Sequence, residues 1–308
     1  MQTIAPSGAQ YPIRSGDQTA VVVEVGGGLR AYAVAGQEIL DGYPEEALAP
    51  ASAGQTLAPW PNRIRDGRYR WHQQTCQLAL SEPPHHNAIH GLVRWLPWRA
   101  VSVAESEVIL SCVLAPHPGY PWRLELSTTW SVGPDGLRAE HTATNLADSV
   151  APFGLGVHPY LTVPGTRVDD LVLTLPATSR LLVDGRKLPI GAAKVDGTEF
   201  DFTAGRRIGA AQLDTAFGDL LPRDSSDGSA AVLATADGSR SVTLWADGAF
   251  HWWQVFTGDP LPAPRTRRAV AVEPMTCPPD AFHSGRDVVS LEPGQTWRGS
   301  WGIRTVLG

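Results

Sequence analysis

Hydrophobic and polar residues alternate with period two along much of the chain. The clearest case is "WRLELSTTWSV", in which Trp122, Leu124, Leu126, Thr128, Trp130 and Val132 share one face and Arg123, Glu125 and Ser127 the other. Successive side chains of an extended chain point to opposite sides, so this pattern predicts a half-buried strand. The "GPDG" of Gly133 to Gly136 carries turn residues and "LRAEHTATN" resumes the alternation, which together predict a hairpin. Further strands are expected at "TAVVVEV", "LRAYAVA", "RYRWHQQTCQLAL", "WRAVSVA", "EVILSCVLA", "DDLVLTL", "AAVLATA", "SVTLWA", "FHWWQVF", "AVAVE" and "TWRGSWGIRTV". Turn signals such as "ADGS" and "ADGA" separate several of them. No long amphipathic helix with caps at both ends is found, and 31 glycines with 26 prolines would interrupt most candidates. The expected fold class is all-β, a large antiparallel β-sandwich of two packed sheets.

From about Asp184 to Ser229 the chain turns rich in Gly, Asp and Ala and ends in "DSSDGS". Strands resume on both sides without a change in character, so this stretch is read as a long surface excursion within one domain spanning residues 1–308. The balance of 43% hydrophobic and 18% charged residues supports a sizeable core and argues against long disordered tails. A net charge of -6 without any block of lysine or arginine offers no landing site for a phosphate backbone or an anionic membrane. Neither nucleic acid nor membrane is therefore expected as a partner. Cys76, Cys112 and Cys277 are odd in number and widely spaced, which fits reduced thiols better than a disulfide framework. With no leader-like or membrane-spanning segment in view, a soluble cytoplasmic protein is expected. Eleven tryptophans are many for this length; flat indole faces suit sugar C–H groups, although core packing accounts for most tryptophans in any sheet protein.

Two stretches break the strand pattern in ways that packing does not require. In "FGLGVHPYL", Gly154 and Gly156 leave space beside the backbone, and His158 stands directly before Pro159 and Tyr160. In "AVAVEPMTCPPDAF", an apolar strand delivers Glu273 at its end, where Pro274 stops ladder donation. A carboxylate set among Val272, Pro274 and Met275 is expected to be partly desolvated, which raises its pKa and suits a base working near neutrality. A paired structural glutamate is the competing reading. The loop "HHNAIH" groups His85, His86 and His90 without a carboxylate or cysteine inside it, and its spacing matches no zinc pattern, so no metal site is assigned. His117, between Pro116 and Pro118, reads as a loop residue able to line a cleft, whereas His72, His141, His251 and His283 occupy ordinary strand or loop positions.

"LAPWPNRIRDGRYRW" and "LDTAFGDL" add Arg63 and Asp214 to His90, His158 and Glu273. Together these segments resemble the aldose 1-epimerase (galactose mutarotase) family. The resemblance runs from "PWPNRIRDG" (Pro59 to Gly67) through "NAIHG" (Asn87 to Gly91), "HPY" (His158 to Tyr160), "LPIGAAKVDGTEFDF" and "RRIGAAQLDTAF" to "VEPMT" (Val272 to Thr276), nearly the whole chain. Leu161 and Thr162 after "HPY" and Leu92 after "HG" look more like a divergent bacterial branch that includes proteins similar to sulfoquinovose mutarotase.

The resemblance implies a large β-sandwich with its site on the concave face of one sheet. It implies that Glu273 takes the proton of the anomeric hydroxyl, that His158 gives one to the ring oxygen, that His90 assists beside that oxygen, and that Arg63 and Asp214 hold hydroxyl groups. The implied activity is interconversion of α and β anomers of an aldose, with no metal, nucleotide or redox cofactor. The partner is a monosaccharide, and the chain is expected to act as a monomer or homodimer. The chemistry justifies these residue types: opening and reclosing a hemiacetal needs one base and one acid that exchange roles, and an imidazole has both protonation states accessible near neutrality. Three other readings stand beside it. One is a mutarotase for an anionic sugar such as sulfoquinovose, for which Arg63, Arg65 or Arg94 would supply the cation. Another is a sugar-binding module of the same fold without catalysis. The third is glycoside hydrolysis by Asp214 and Glu273 as a carboxylate pair.

Overall fold

The computed structural model describes residues 5–222 and 228–308; the stretch 223–227, with most of the "DSSDGS" run, lies outside the described residues. Two large sheets dominate the architecture, which is nearly all antiparallel β. The larger has nine strands, in the order Arg99–Val103, Glu107–Leu114, Leu124–Gly133, Gly136–Asn145, Thr296–Leu307, Arg240–Ala246, Ser229–Ala234, Val172–Thr174 and Arg206–Arg207. The second has eight, in the order Pro189–Lys194, Ala177–Val183, Asp214–Leu220, Trp252–Phe256, Val270–Met275, Gly156–Val157 and Thr56–Leu57 along one path, with Tyr160–Leu161 pairing off Val270–Met275. A four-stranded sheet from Gln10 to Glu38 lies beside them in sequence. Among the described residues the only α-helix is Ala281–Ser284, and none is long and apolar enough to cross a membrane.

The predicted hairpin forms as expected: Leu124 to Gly133 pairs with Gly136 to Asn145 across the Pro134-Asp135 turn. Its alternation is carried into burial, since Leu124, Leu126, Thr128, Trp130 and Val132 are all buried while Glu125 is exposed. Leu124, Leu126, Trp130 and Val132 join Phe217, Trp253, Val255, Val270 and Val272 of the eight-stranded sheet in one hydrophobic cluster. Each such large side chain contributes roughly 1.5–3 kcal/mol on burial, so this shared layer is what clamps the two sheets together.

Two segments differ from the sequence expectation. "RYRWHQQTCQLAL" is not one strand but a tight hairpin, Arg68–Trp71 against Gln74–Gln77, because His72 adopts a left-handed backbone (φ 50) that reverses the chain. The excursion from Asp184 onward contains strand Pro189–Lys194 at the edge of the eight-stranded sheet and strand Asp214–Leu220 inside it. The latter is buried over Thr215 to Gly218. Its "DTAFGDL" has only two large apolar residues, too few to register as alternation, yet Phe217 in the core and Leu220 packed against it anchor the strand.

Within the eight-stranded sheet, alternation sorts side chains between the core and the opposite, concave face. Trp253 and Val255 enter the main core, so Trp252, Gln254 and Phe256 face out; Val270 and Val272 enter it, so Ala271, Glu273 and Met275 face out. Register then aligns the outward positions: Gln254 stands opposite Glu273, and Ala216 opposite Gln254, two residues from Asp214.

His141 sits on the nine-stranded sheet, buried and fully paired. Its Nε2 accepts from Trp301 Nε1 at 2.8 Å and its Nδ1 meets Thr128 Oγ1 at 2.8 Å. Because Nε2 accepts, the ring must be neutral, and burial pushes its pKa down to about 3. A depressed folded-state pKa means that the unfolded chain binds the extra proton first. Stability from this residue is therefore complete above the ordinary imidazole value of about 6.5 and drains away as pH falls toward the folded value. The urea midpoint of the wild type should drop between neutrality and mildly acidic pH, and the drop should be smaller in His141→Gln. An equal drop in both would assign the acid sensitivity elsewhere.

Candidate active site

The concave face of the eight-stranded sheet opens into a cleft of about 1030 Å³, large for a small-molecule site. Glu273, His158, His90, Arg63 and Asp214, which are far apart in sequence, all line it. At its floor Glu273 Oε1 lies 3.4 Å from His158 Nε2, with the two side chains 2% and 7% exposed. His90 meets His158 edge to face, with ring centroids 5.5 Å apart and planes at 75°.

Each of these residues is held by a local device. Strand Val270–Met275 is buried along its whole length and does not stop at Pro274, which pairs with Trp253, so Glu273 sits mid-strand rather than at an end. His90 has a left-handed backbone (φ 62), and its N–H donates to the Asn62 carbonyl. Gly91 follows with φ 69, where a Cβ would come within 2.0 Å of the Ala58 carbonyl oxygen. That close approach requires glycine and fixes where the histidine loop crosses the "APWPN" segment. Gly154 plays a similar part before His158: a Cβ there would meet Cys277 Sγ at 2.5 Å.

The electrostatics follow from burial. Desolvation raises the Glu273 pKa well above the ordinary carboxylate value, with the nearby Asp214 charge adding to it and Arg63 opposing. Desolvation lowers His158 to about 3 against the pull of its own backbone, helped by Arg94, and holds His90 well below its ordinary value, with His158, Arg94 and Arg63 adding to the effect. Burial thus favours the neutral form of both imidazoles and works toward the protonated form of Glu273.

Arg63 does not stand free. Its Nε and Nη2 grip Glu82 at 2.8 Å each, the pair only 13% and 15% exposed. Glu82 also accepts from Asn87 Nδ2 and meets His85 Nδ1. Burial works against ionisation of Glu82, but the bonds from Arg63 outweigh it and hold the carboxyl below its ordinary range. Asp214 accepts from Gln254 Nε2 at 2.8 Å and pairs with Lys187 Nζ at 3.3 Å. Lys187 sits in a turn stapled to the histidine loop by Arg186, which donates to the carbonyls of His85 and His86 and bonds Asp66. Arg65 pairs with Asp280. Arg94 lines the cleft, donates to Ser52 Oγ at 2.9 Å, and has no carboxylate partner among the described residues.

Glu82, Lys187, Gln254 and Ser52 were not singled out from sequence. Of these, only Gln254 carries a readable signal, as the polar residue at an outward position between Trp253 and Val255. His85 lines the cleft too, whereas His117 is exposed outside it and bonds the Pro118 carbonyl. Among the described residues no group of His, Cys, Asp and Glu is arranged to hold a metal ion.

Comparison with known proteins gives this arrangement its family. The family model for aldose 1-epimerase matches residues 10–304, and the chain belongs to that family. Among curated proteins it is 35% identical over 293 residues to the uncharacterized protein YihR of Escherichia coli K12, covering 95% of this chain and 92% of that one. Among solved structures it resembles the GalM/aldose epimerase homologue from C. elegans, with a TM-score of 0.85 at 19% identity over 96% of this chain and 98% of that one. It also resembles galactose 1-epimerase from Lactobacillus acidophilus NCFM, with a TM-score of 0.79 at 20% identity over 96% and 93%. At such identities these two structures establish the galactose mutarotase-like fold.

The Arg63–Glu82 pair gives a direct test. Removing one member of a fully buried ion pair costs about 3–5 kcal/mol, whereas an exposed pair is worth about 0–1 kcal/mol. This pair is partly buried, so Glu82→Ala should lose about 1–3 kcal/mol in urea unfolding, while Glu82→Gln, which keeps an acceptor, should lose less. A loss under about 1 kcal/mol for the alanine variant would place the pair in the class of surface ion pairs.

Proposed function

We propose that this protein is an aldose 1-epimerase that exchanges the α and β anomers of a free monosaccharide by acid/base ring opening and closure, without a cofactor. The observation that carries the reading is the 3.4 Å contact between Glu273 Oε1 and His158 Nε2 at the floor of the cleft. Glu273 and His158 are the catalytic residues, His90 assists at the ring oxygen, and Arg63 and Asp214 hold sugar hydroxyls. Arg63 Nη1, the one guanidinium nitrogen free of hydrogen bonds among the described residues, is the group it has to offer. Three buried free thiols fit a reducing, cytoplasmic setting, and the sandwich is read as one domain over residues 1–308.

The proton accounting supports these roles. Moving one proton from Glu273 to His158 across their contact converts the neutral pair into carboxylate and imidazolium. The carboxylate then takes the O1 proton as C1=O1 forms and the C1–O5 bond breaks, and O5 receives the proton from His158 Nε2. Both groups return to the neutral forms that burial favours, with the sugar open. After rotation about C1–C2 the steps run backward on the other carbonyl face. Glycoside hydrolysis is less well supported, because both oxygens of Asp214 are engaged by Gln254 and Lys187 and it would leave two cleft histidines without a part.

Polarimetry of freshly dissolved α-glucose and α-galactose should show faster anomer exchange with the wild type. Glu273→Gln and His158→Gln should each lose about 10²–10⁴-fold in kcat. The double variant should lose little more, because the two act as a unit. Calorimetric sugar binding by a wild type that speeds no exchange would favour the non-catalytic module.

Arg94 favours a second reading, a mutarotase for an anionic sugar such as sulfoquinovose. It is the cleft arginine without a carboxylate partner among the described residues, and burial of its guanidinium lowers its pKa, so an anionic substituent would relieve that cost. Arg94→Met should then raise KM for a sulfonated hexose about tenfold or more while leaving KM for glucose unchanged. Equal changes for both sugars would remove the anion from the argument.

A further inference from the structure

A histidine that works by proton transfer commonly has its second ring nitrogen bonded to a carbonyl or carboxylate, which fixes both tautomer and ring plane. His158 lacks this support: its buried Nδ1 makes no hydrogen bond among the described residues. What meets the ring instead is Tyr160, two residues along the chain. The two rings are stacked at 4.9 Å between centroids with planes at 20°.

Tyr160 is itself held from several directions. Its hydroxyl donates to the Ala51 carbonyl at 3.1 Å, its backbone pairs with Ala271, and its carbonyl accepts from the Asp41 N–H at 2.9 Å. The Arg265 guanidinium lies 5.5 Å over the ring and is fixed in turn by the buried Asp41 carboxylate at 2.9 Å. A tyrosine so fixed presents one rigid π face to the imidazole.

We propose that Tyr160 is a positioning residue whose ring face orients His158 and stabilises the imidazolium form that delivers the proton to the ring oxygen. This rests on the acid/base reading above. An imidazolium at this site finds no partner for Nδ1 beyond a weak contact with its own backbone, and burial and Arg94 both work against it. Of the groups that face His158, namely Glu273, His90, Arg94 and Tyr160, only the carboxylate and the aromatic face attract a cation. Around Tyr160 the charges are Arg265, Asp41, Glu273 and Asp214, and the Arg265 charge is offset by its Asp41 partner. Residual attraction to the imidazolium therefore comes from the ring quadrupole, which depends on the electron density of the ring and not on its volume.

A shape-conserving series separates this role from packing. Position 160 is filled in turn by Phe (Tyr160→Phe) and by mono-, tri- and pentafluorophenylalanine. Tyr160→Phe should keep kcat within about threefold of wild type. Because the imidazolium forms only transiently from the neutral pair, kcat should fall stepwise with fluorination, about tenfold by the last member, with KM nearly constant. A flat series overturns the proposal, and so does a Tyr160→Phe variant as impaired as the pentafluoro one, which would assign the effect to the hydroxyl bond. Imidazole nitrogen NMR of His158 in the sugar-free protein follows its protonation through the same series without needing turnover. A wild type that exchanges no anomers would therefore overturn the functional reading alone, while a graded or flat NMR response would still decide the role of the ring.

Discussion

The site depends on one constraint: the register of three neighbouring antiparallel strands, Asp214–Leu220, Trp252–Phe256 and Val270–Met275. Side chains alternate between the faces of a sheet, so each strand has a single register that sends its large apolar residues into the core. With Phe217, Trp253, Val255, Val270 and Val272 so placed, Asp214, Gln254 and Glu273 emerge together on the concave face. A slip of one residue in Val270–Met275 would drive a carboxylate into the layer that clamps the two sheets. Core packing and placement of Glu273 are therefore the same requirement, met once.

Burial then sets the chemistry. The same loss of solvent pushes Glu273 up and His158 down, toward forms that differ from the reactive pair only by the position of one proton. Charges farther up the cleft are handled differently. Arg63 is neutralised by Glu82 and Lys187 by Asp214, so these groups can be rigid without carrying a large unscreened charge into the site. Arg94 departs from that rule and rests on a serine hydroxyl alone.

Much of this was legible in the sequence, and the parts that were not have physical reasons. Alternation in Leu124–Gly133 is strong because large apolar residues fill all but one of its inward positions, the exception being Thr128. The same rule acts in Asp214–Leu220, but Ala and Gly occupy the outward positions beside Trp252, where a Cβ on Gly218 would come within 2.6 Å of the indole. A strand built to accommodate a neighbour's bulk looks like a loop. The partners Glu82 and Lys187 lie on turns whose three-dimensional approach to Arg63 and Asp214 follows from long-range folding, and no local pattern marks them. The five residues assigned from family resemblance converge on one cleft, because alternation and register bring their strands and loops to the same face.

Under the proposed acid/base reading, the sparsely bonded Nδ1 of His158 suits a reaction that must run in both directions. An imidazolium whose Nδ1–H has an acceptor is a weaker acid, and it would hold its proton when the ring oxygen needs it. One with neither acceptor nor π face would be too costly to form from the neutral pair. In the proposed reaction, Glu273 on one nitrogen and Tyr160 on the face would keep the charged form reachable. The left-handed backbones of Ala51, Ser52, Asn62 and His90, all of which line the cleft, point the same way, since conformations of this kind persist only where surrounding contacts over-determine them. Ala51 takes the Tyr160 hydroxyl and Asn62 takes the His90 N–H, so the strained positions are the ones that hold the two histidines in place.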